Sequence, residues 1–473
     1  MGSEWVETTL GKVTREGGGF IQTGPFGSQL HASDYVEDGV PCIMPANLSG
    51  DRVDTADIAR ISETDATRLS KHLVRTGDII YSRRGDVTRK ALITKNEEGM
   101  FCGTGCLLVR PGSAVNSEFL KYHLSTPENH EWIIRHAIGA TMPNLNTGIL
   151  AEIPLRIPPK ETQKYIADYL GCIDRKIELN RQTNQTLESM AQALFKSWFV
   201  DFDPVIDNAL AAGNEIPEPL AAKAATRRAL QEQGTDKANQ PHTLPDHIRQ
   251  LFPSRFQFTE ELGWIPEGWG VSTVGEEIHV CGGGTPSTKN NAYWADGTHA
   301  FCTPKDMSRL SGTVLMDTER KLTDEGLAQI SSGLLPTGTV LMSSRAPIGY
   351  LAVNDIPVSV NQGIIAMLPH QSFSPLYLLL WTKSNLKEIE NRANGSTFQE
   401  ISKKNFRDIP MVVPGTKLLS EFGAIASELR TKMEACEKQI RVLTRLRDEL
   451  LPKLLSGELR IPEAEEMLDE ALA

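Results

Sequence analysis

The sequence lacks the features of a membrane or secreted protein. No segment approaches the run of about eighteen apolar residues that a transmembrane helix requires. The first residues, MGSEWVETTLGKV, lack the basic and apolar regions of a secretory signal. We therefore expect a cytoplasmic location and no membrane partner.

Cysteine is scarce, and its arrangement favours neither disulfides nor metal. The seven cysteines are scattered and include no C-x-x-C pair, which argues against a disulfide framework and against a zinc knuckle. The nearest approach to a metal motif combines His130 with His136, but this spacing places the two imidazoles on different faces of a helix. We expect reduced thiols and no metal site.

Recognised catalytic motifs are also missing. Glycine runs occur at 17–19 and 282–284, but neither continues into a G-K-[ST] phosphate loop or a G-x-G-x-x-G turn. There is no G-x-S-x-G elbow and no cysteine with a suitably spaced histidine. We therefore expect no catalytic residue and no cofactor bound by this chain, with a stand-alone methyltransferase or nuclease of degenerate motifs as one alternative.

The net charge of −11 argues against nucleic acid only until its location is considered. From Gly457 onward, six acidic residues and one arginine give −5, and from Asp201 to Leu262 ten acidic and six basic residues give −4. The rest of the chain is therefore close to neutral. Because DNA-binding proteins neutralise phosphates with Lys and Arg, this distribution permits DNA as a partner without favouring it.

The chain contains one pattern twice. Residues 137–159 and 393–414, the repeated element, read AIGATMPNLNTGILAEIPLRIPP and ANGSTFQEISKKNFRDIPMVVP. Both begin with Ala-x-Gly-x-Thr, so that Gly139 aligns with Gly395, and both close on Ile-Pro. Further landmarks repeat in the same order: Trp5 and Trp269, Gly77–Arg83 and Gly338–Arg345, and Ile153-Pro154 and Ile409-Pro410. This order predicts a duplication; chance similarity of short apolar strings is the alternative.

A long helical pattern follows each copy. The first has the alternating four-three spacing of a heptad seam at Ile166, Leu170, Ile173, Ile177, Asn180, Asn184, Leu187, Ala191, Leu194 and Trp198. The second runs through Ile425, Leu429, Lys432 or Met433, Cys436, Gln439 or Ile440, Leu443, Leu446 and Leu450 to Pro452, which we expect to kink or end the helix. We predict that the two helices pair, with the seam asparagines setting the register. A helix hairpin packed on a globular body is the alternative.

These patterns predict an α+β protein made of two duplicated mixed α/β domains that are separated by two long antiparallel coiled-coil helices, with pseudo-twofold symmetry. Each domain combines short β-rich runs with a helix, at 118–137 and 376–393. The region between the copies is rich in Ala, Pro and Gln and predicts a linker with a short helix near 220–231. The predicted order is a first domain (1–158), a long helix (159–200), a linker (201–262), a second domain (263–414), a long helix (415–456) and an acidic tail (457–473).

Cationic and amide side chains gather beyond the ends of predicted strands. Arg pairs bidentately with guanine, Asn with adenine, and Lys binds phosphate. The candidate DNA-binding residues are Ser82, Arg83, Arg84, Arg89, Lys90, Asn144, Asn146, Lys289, Asn290, Lys305, Ser344, Arg345, Lys403 and Lys404. For any one of them, an ordinary solvated loop residue is the alternative.

Several segments, in order, carry a family resemblance. They are Gln22–Leu30 (QTGPFGSQL), Phe195–Pro204 (FKSWFVDFDP), Leu262–Trp269 (LGWIPEGW), Gly282–Lys289 (GGGTPSTK) and Leu450–Gly457 (LLPKLLSG). Together they resemble the domain entries and helix ends of the DNA specificity subunits of type I restriction-modification enzymes, over nearly the whole chain.

This resemblance implies two target-recognition domains, each reading half of a bipartite DNA site, in a chain that is not catalytic. It also implies that two modification subunits, which carry S-adenosylmethionine and methylate adenine, dock on the helices, and that two restriction subunits bring ATP and Mg. A two-lobed scaffold that never binds DNA is the second alternative. Residues assigned to the coiled coil and to docking are Ile166, Leu170, Ile173, Ile177, Asn180, Asn184, Leu187, Phe195, Trp198, Leu429, Leu443, Leu446 and Leu450.

The helices would then act as a ruler. The seam from Ile166 to Trp198 has about 33 residues, and at about 1.5 Å per residue it spans about 50 Å, or roughly fifteen base pairs. We expect half-site centres about one to one and a half helical turns apart.

Overall fold

The computed structural model describes residues 5–139, 142–233, 244–370, 372–395, 399–459, 462–464 and 466–467. Some residues of the predicted linker, acidic tail and repeated element lie outside these ranges: Thr141, Asp236, Lys237, Thr397, Arg460, Glu465, Asp469 and Glu470. Within the described ranges, no helix has the length and apolar character needed to cross a membrane.

The first part of the chain forms short strands and ends in a long helix. Its strands are β1 (Val6–Thr9), β2 (Phe20–Thr23), β3 (Tyr35–Val36), β4 (Val40–Ile43), β5 (Leu48–Ser49), β6 (Arg52–Val53), β7 (Arg60–Ile61), β8 (Ile79–Ser82), β9 (Lys90–Leu92), β10 (Phe101–Cys102), β11 (Cys106–Arg110) and β12 (Pro154–Ile157). Its helices are α1 (Leu10–Glu16), α2 (Glu63–Arg68), α3 (Ser117–His123), α4 (Pro127–His136), α5 (Thr147–Ala151) and α6 (Lys160–Phe199).

The second part has the same composition. Its strands are β13 (Phe256–Thr259), β14 (Gly263–Pro266), β15 (Gly270–Thr273), β16 (Val280–Gly282), β17 (His299–Cys302), β18 (Val314–Leu315), β19 (Arg320–Leu322), β20 (Val340–Ser344), β21 (Ile348–Asn354), β22 (Val358–Val360), β23 (Ile364–Met367) and β24 (Pro410–Val413). Its helices are α7 (Asp203–Ala212), α8 (Ala221–Gln233), α9 (Asp246–Arg249), α10 (Val274–Glu277), α11 (Pro304–Ser308), α12 (Asp324–Leu327), α13 (Pro375–Ser384), α14 (Leu386–Asn391), α15 (Lys403–Arg407) and α16 (Thr416–Ser456).

The chain divides into two compact units. Unit 1 contains residues 1–178 and 440–473, and unit 2 contains residues 179–439. Each unit therefore holds one globular part together with one segment of α6 and one segment of α16.

The main sheet of unit 1 has the strand order β2-β11-β8-β9, and both of its faces are buried. Along β8, Ile79 and Tyr81 contribute to the cluster that includes the long helices, whereas Ile80 faces a separate cluster. This alternation follows from the two-residue period of a strand. A second sheet, β10-β4-β7-β3, includes a parallel pair, β10 with β4.

Unit 2 repeats this arrangement with the order β16-β23-β20-β21-β18 and a smaller sheet β19-β17-β22. Along β20, Val340 and Met342 contribute to the cluster with the long helices, and Leu341 to another cluster. The parallel pair recurs between β17 and β22. The predicted duplication and the mixed α/β class are confirmed.

The repeated element closes both units in the same way. In unit 1, β1 pairs antiparallel with β12, and the N–H of Leu10 donates to the carbonyl of Ile153 at 2.9 Å. In unit 2, β15 pairs antiparallel with β24, and the N–H of Val274 donates to the carbonyl of Ile409 at 3.0 Å. The two Ile-Pro steps are therefore structurally equivalent, as the sequence indicated.

The segments of the two long helices run antiparallel in each unit. In unit 1, Asp174 of α6 pairs with Arg447 of α16 at 3.0 Å, and their apolar residues share one cluster. In unit 2, the Asn180 amide donates to the side-chain carbonyl of Gln439 at 3.1 Å, and Phe195 lies edge-on to Phe422. The predicted helix pairing is present.

The predicted seam is also shared with the globular part of each unit. In unit 1 the cluster that holds Ile166 and Leu170 also holds Phe119 of α3. In unit 2, Trp198 contacts Phe252, which lies in the predicted linker. The alternative of helices packed on a globular body therefore describes part of each seam.

Two sequence expectations differ from the structure in detail. Helix α16 does not end at Pro452 but continues to Ser456. The last turn packs Leu454 and Leu455 into the core of unit 1. The free energy gained by burying these side chains offsets the cost of the backbone hydrogen bond that Pro452 cannot donate.

The segment predicted as a linker is partly packed. The predicted short helix is present as α8, while α7 and α9 bury Val205, Ile206 and Ile248. Val205 and Ile248 belong to the core cluster of unit 2. A strand pair, β13 with β14, follows.

Candidate nucleic-acid interface

In unit 1, the end of β8 and the loop from Ile138 to Asn144 form one hydrogen-bonded frame. The N–H of Leu145 donates to the carbonyl of Arg83 at 2.9 Å, and Arg84 forms a backbone bridge with Asn144. Asn144 and Ile138 exchange backbone hydrogen bonds of 2.9 and 3.0 Å, which close the loop. The backbone that carries the two arginines is thereby fixed by the repeated element.

Unit 2 has the same frame at the end of β20. The N–H of Ile401 donates to the carbonyl of Ser344 at 3.1 Å, and Arg345 forms a backbone bridge with Glu400. Glu400 and Asn394 exchange backbone hydrogen bonds of 2.9 and 3.0 Å. The structure thus brings the predicted site residues near these two strand ends together in two equivalent places.

A glycine is required at the same point of both loops. Gly139 has φ +108° and Gly395 has φ +113°, a region that side chains rarely adopt. A Cβ atom added to Gly139 would also lie 2.7 Å from the carbonyl oxygen of Met142. The shared Ala-x-Gly start of the repeated element reflects this backbone requirement.

The hydrogen-bond pattern corrects the alignment of the two strand ends. Arg345 corresponds to Arg84, because both form the bridge to the loop, and Arg83 corresponds to Ser344. The sequence alignment of Arg83 with Arg345 was wrong because it placed a gap in the first segment, whereas equal spacing from Gly77 and from Gly338 sets Arg84 opposite Arg345.

Lys90 was predicted to bind DNA, and the structure places it inside unit 1. Its side chain is 1% exposed, and its ammonium lies 2.6 Å from a carboxylate oxygen of Asp51 and 2.7 Å from the hydroxyl of Ser125. Burial lowers the pKa of the Lys90 ammonium, and the neighbouring Asp51 acts in the opposite direction. Lys90 is therefore a core ion-pair residue and cannot reach phosphate.

Both predicted serines are also buried. Ser82 is 1% exposed and its hydroxyl donates to the carbonyl of Arg84 at 2.8 Å, while Ser344 is 3% exposed. Ser82 therefore shapes the turn that presents Arg84 and does not contact a ligand directly.

Two of the predicted amides cap helices. The side chain of Asn146 accepts from the N–H of Ile149 at the start of α5, and the side chain of Asn290 accepts from the N–H of Ala292. Both residues are exposed, so a cap role and a ligand contact are compatible. Asn144 is half-buried and belongs to the frame of unit 1.

The cations of unit 2 differ in how far they are neutralised. Lys305 pairs with Glu319 at 3.1 Å, and Arg345 pairs with Glu400 at 3.5 Å. The remaining predicted cations of this unit are exposed: Lys289, Lys403 and Lys404. In unit 1, Arg84 is exposed and makes no ion pair with any residue in the described ranges.

Sequence reasoning missed the apolar side chains around the frame of unit 1. Phe26, Ile138 and Met142 are 54%, 61% and 63% exposed. The Arg83 guanidinium lies over the Phe26 ring, 5.8 Å from its centroid. The available signal was Gly24-Pro-Phe-Gly27, in which a bulky aromatic residue stands between turn-forming residues.

The residues assigned to docking lie mostly inside the chain. Ile166, Leu170, Ile173, Ile177, Asn180, Asn184, Leu187, Phe195, Trp198, Leu443, Leu446 and Leu450 are all buried, and Leu429 packs against the core of unit 2. They hold the helices in place and are not available to a partner. Exposed apolar residues of α6 are Tyr165, Leu179 and Met190.

The fold and the two equivalent frames define a class of duplicated two-unit proteins, and comparison with known proteins identifies the class. Residues 33–189 and 266–433 match the family model described as "Type I restriction modification DNA specificity domain". The chain belongs to this family of DNA specificity proteins.

Relatives support the assignment. The chain is 29% identical over 474 residues to the type I restriction enzyme HindI specificity subunit of Haemophilus influenzae, covering 97% of this chain and 100% of that protein. It is 30% identical over 207 residues to the MjaIX specificity subunit of Methanocaldococcus jannaschii, covering 42% of this chain and 48% of the relative. The crystal structure of a type I restriction-modification S subunit from M. genitalium shares the fold, with a TM-score of 0.51, 17% identity and 96% of each chain covered.

Proposed function

We propose that this chain reads a bipartite DNA site, with unit 1 contacting one half-site and unit 2 the other. One observation carries the proposal: the frame that holds Arg84 beside the loop of unit 1 recurs, bond for bond, around Arg345 in unit 2. A duplicated frame is what two separate readings of DNA require, and arginine is the side chain that most often reads a base edge in the major groove.

The chemistry of modification and cleavage belongs, in this proposal, to partner subunits in the cytoplasm. Two modification subunits would bring S-adenosylmethionine and methylate adenine, and two restriction subunits would bring ATP and Mg, while this chain supplies sequence recognition and no catalytic group. Methylation within a duplex requires the target base to leave the stack, so the reader holds DNA in register while a partner extrudes the base. The exposed Tyr165, Leu179 and Met190 of α6 are the docking candidates that replace the buried seam residues.

Methylation mapping tests the proposal. Single-molecule sequencing of methylated adenines, with and without the gene, should show a two-part motif that appears only with this chain. Arg84→Ala should relax or abolish one half of the motif, and Arg345→Ala the other, since each bidentate contact contributes about 1–3 kcal/mol of discrimination.

Three outcomes would contradict the proposal. S-adenosylmethionine-dependent labelling of DNA by the purified chain alone would identify an enzyme. Unchanged motifs in both arginine variants would favour a scaffold that leaves DNA contact to its partners. A change in the same half of the motif by both variants would disprove the assignment of one unit to one half-site.

A further inference from the structure

Three large apolar side chains stand exposed around the frame of unit 1, next to two arginines. Phe26, Ile138 and Met142 each expose more than half of their surface. Phe26 lies in the loop that follows β2, and the other two lie in the loop that bridges to Arg84. We call these three residues the apolar patch.

The patch is held in place by backbone contacts. Ile138 pairs with Asn144, which pairs in turn with Arg84, and the N–H of Gly85 donates to the carbonyl of Pro143 at 3.3 Å. On the other side, the side chain of Gln29 accepts from the N–H of Phe26 at 3.2 Å. The patch is therefore presented on hydrogen-bonded loops.

Its surroundings favour a nucleic-acid occupant over a protein. The Arg83 guanidinium lies over the Phe26 ring, and its Nε is buried with no hydrogen-bond partner among the residues described here. Arg84 is exposed, makes no ion pair within the described ranges, and carries a second positive charge beside the patch. Two cations that have no carboxylate partner in the described part of the chain, next to apolar surface, suit the phosphates and base edges of DNA.

Unit 2 differs from unit 1 at two of the three equivalent points, and the third residue, Phe398 opposite Met142, lies outside the described ranges. Asn394 occupies the bridge position of Ile138, and the loop that follows β16 presents Thr285 and Ser287 where unit 1 presents Phe26. The Thr285 hydroxyl donates to the side-chain carbonyl of Gln362 at 2.5 Å. At these two points the two units present different side chains, apolar in unit 1 and polar in unit 2.

We propose that the apolar patch of unit 1 contacts the 5-methyl groups of thymines in the major groove and so specifies T over C within one half-site. The inference rests on the proposed function of DNA reading. The thymine methyl is the apolar feature that base pairs display in the major groove, and apolar side chains recognise it. Burying one methyl group is expected to change affinity about fourfold.

The test is selection of bound duplexes from a randomised DNA library, using the full chain with its modification subunits. The wild-type complex should enrich a two-part motif with at least one thymine in the half that Arg84→Ala weakens. Ile138→Ser with Met142→Ser should lower the preference for that thymine about fourfold and leave the other half unchanged. The enriched duplex is then resynthesised with deoxyuridine at that position. The wild type should bind this duplex about fourfold more weakly for each lost methyl, whereas the double variant should bind the thymine and deoxyuridine duplexes equally.

Val6→Ser is the matched control, because Val6 is 54% exposed but belongs to β1, which is in a different sheet from β8. It should leave both halves of the motif unchanged, and retention by every variant of the bases that depend on Arg84 reports correct folding of unit 1. Equal binding of thymine and deoxyuridine duplexes by the wild type would overturn the inference. So would a rise in the fluorescence of 2-aminopurine placed in the duplex that is the same with and without the methyl group, because it would indicate that the apolar side chains insert between bases. If the wild type enriches no sequence, the proposed function itself fails, and this result is distinct from the others.

Discussion

The ammonium of Lys90 lies 2.6 Å from the carboxylate of Asp51 in the interior of unit 1. The lysine is 1% exposed and the aspartate 33% exposed, so only the lysine end of the pair is shielded from water. The pair joins β9 to the turn before β6, and the hydroxyl of Ser125 contacts both groups. Lys90 is therefore a structural residue although it stands in a cationic stretch of sequence.

Lys90→Met should lower the free energy of unfolding by about 2 kcal/mol, because it leaves Asp51 without its partner while that carboxylate keeps some solvent. Chemical denaturation measures this change. Arg89→Met is the control, since Arg89 is half-buried and only approaches the carbonyl of Ala46 at 3.5 Å. A stable Lys90→Met protein with weakened DNA binding would show that Lys90 contacts DNA after all.

For the Asn180–Gln439 hydrogen bond, we predict that substitutions of the two residues have opposite effects on stability. Asn180 is 4% exposed, whereas Gln439 is exposed. Asn180→Leu should stabilise the chain by about 1 kcal/mol, because it removes a buried polar group while Gln439 can bond to water. Gln439→Ala should destabilise it by about 1 kcal/mol, because it leaves the buried amide without its acceptor.

Thermal unfolding of both variants checks the signs, and methylation mapping checks the register. If polar seam residues exclude misaligned pairings, Asn180→Leu should also broaden the range of spacer lengths that are methylated. A destabilised Asn180→Leu protein would mean that the hydrogen bond contributes more than burial of the amide costs.

Stability in acid should depend on His72. The residue is 2% exposed, and neither ring nitrogen has a hydrogen-bond partner in the described part of the chain. Burial lowers the pKa of His72 from 6.5 to about 4. Above pH 6.5 the ring is neutral in both states; as the pH falls towards 4, the unfolded chain binds a proton that the folded chain does not, so stability is lost.

His72→Leu removes this linkage. The free energy of unfolding of the variant, measured relative to that of the wild type, should rise by about 2.5 kcal/mol as the pH falls from 7 to 4.5. Denaturant unfolding at a series of pH values measures the difference, and the same substitution at the exposed His136 is the control. If the difference in free energy of unfolding between variant and wild type were the same at every pH, the assigned role of His72 would be disproved.

The ruler proposal predicts the effect of lengthening both helices. A seven-residue insertion after Glu178 in α6, matched by one before Ile440 in α16, adds about 10 Å to each helix. The methylated motif should keep both half-sites and gain about three base pairs of spacer. Insertion in one helix only should shift the seam out of register and impair assembly, and a changed half-site sequence in the double insertion would contradict the proposal.

The duplication and the long helices could be predicted because their signals are local and repeated. A heptad spacing can be recognised without knowledge of distant loops. The Ile-Pro steps mark the start of β12 in unit 1 and of β24 in unit 2. The predicted single helix at 118–137 was less accurate, since it is broken into α3 and α4 by the cap Thr126 and the following Pro127.

The site residues were harder to predict because their roles depend on partners far away in the chain. Lys90 looks like its neighbours Arg84 and Arg89 until Asp51 is placed beside it. The correspondence of Arg84 with Arg345 follows from equal spacing after Gly77 and Gly338, but the similar Ser82-Arg83 and Ser344-Arg345 pairs suggest a false alignment. Exposed apolar residues such as Ile138 carry no signal in sequence, because the same residue types fill the cores.

The division of the chain has a consequence for synthesis on the ribosome. Unit 2 is one continuous stretch, whereas the core of unit 1 needs Ile440 and the leucines up to Leu455, which are made almost last. Unit 2 is therefore complete in sequence while the core of unit 1 still lacks the helix residues from Ile440 to Leu455. The same division means that exchange of one uninterrupted gene fragment, codons 179–439, replaces the whole of unit 2, whereas replacing unit 1 requires two separate fragments, codons 1–178 and 440–473.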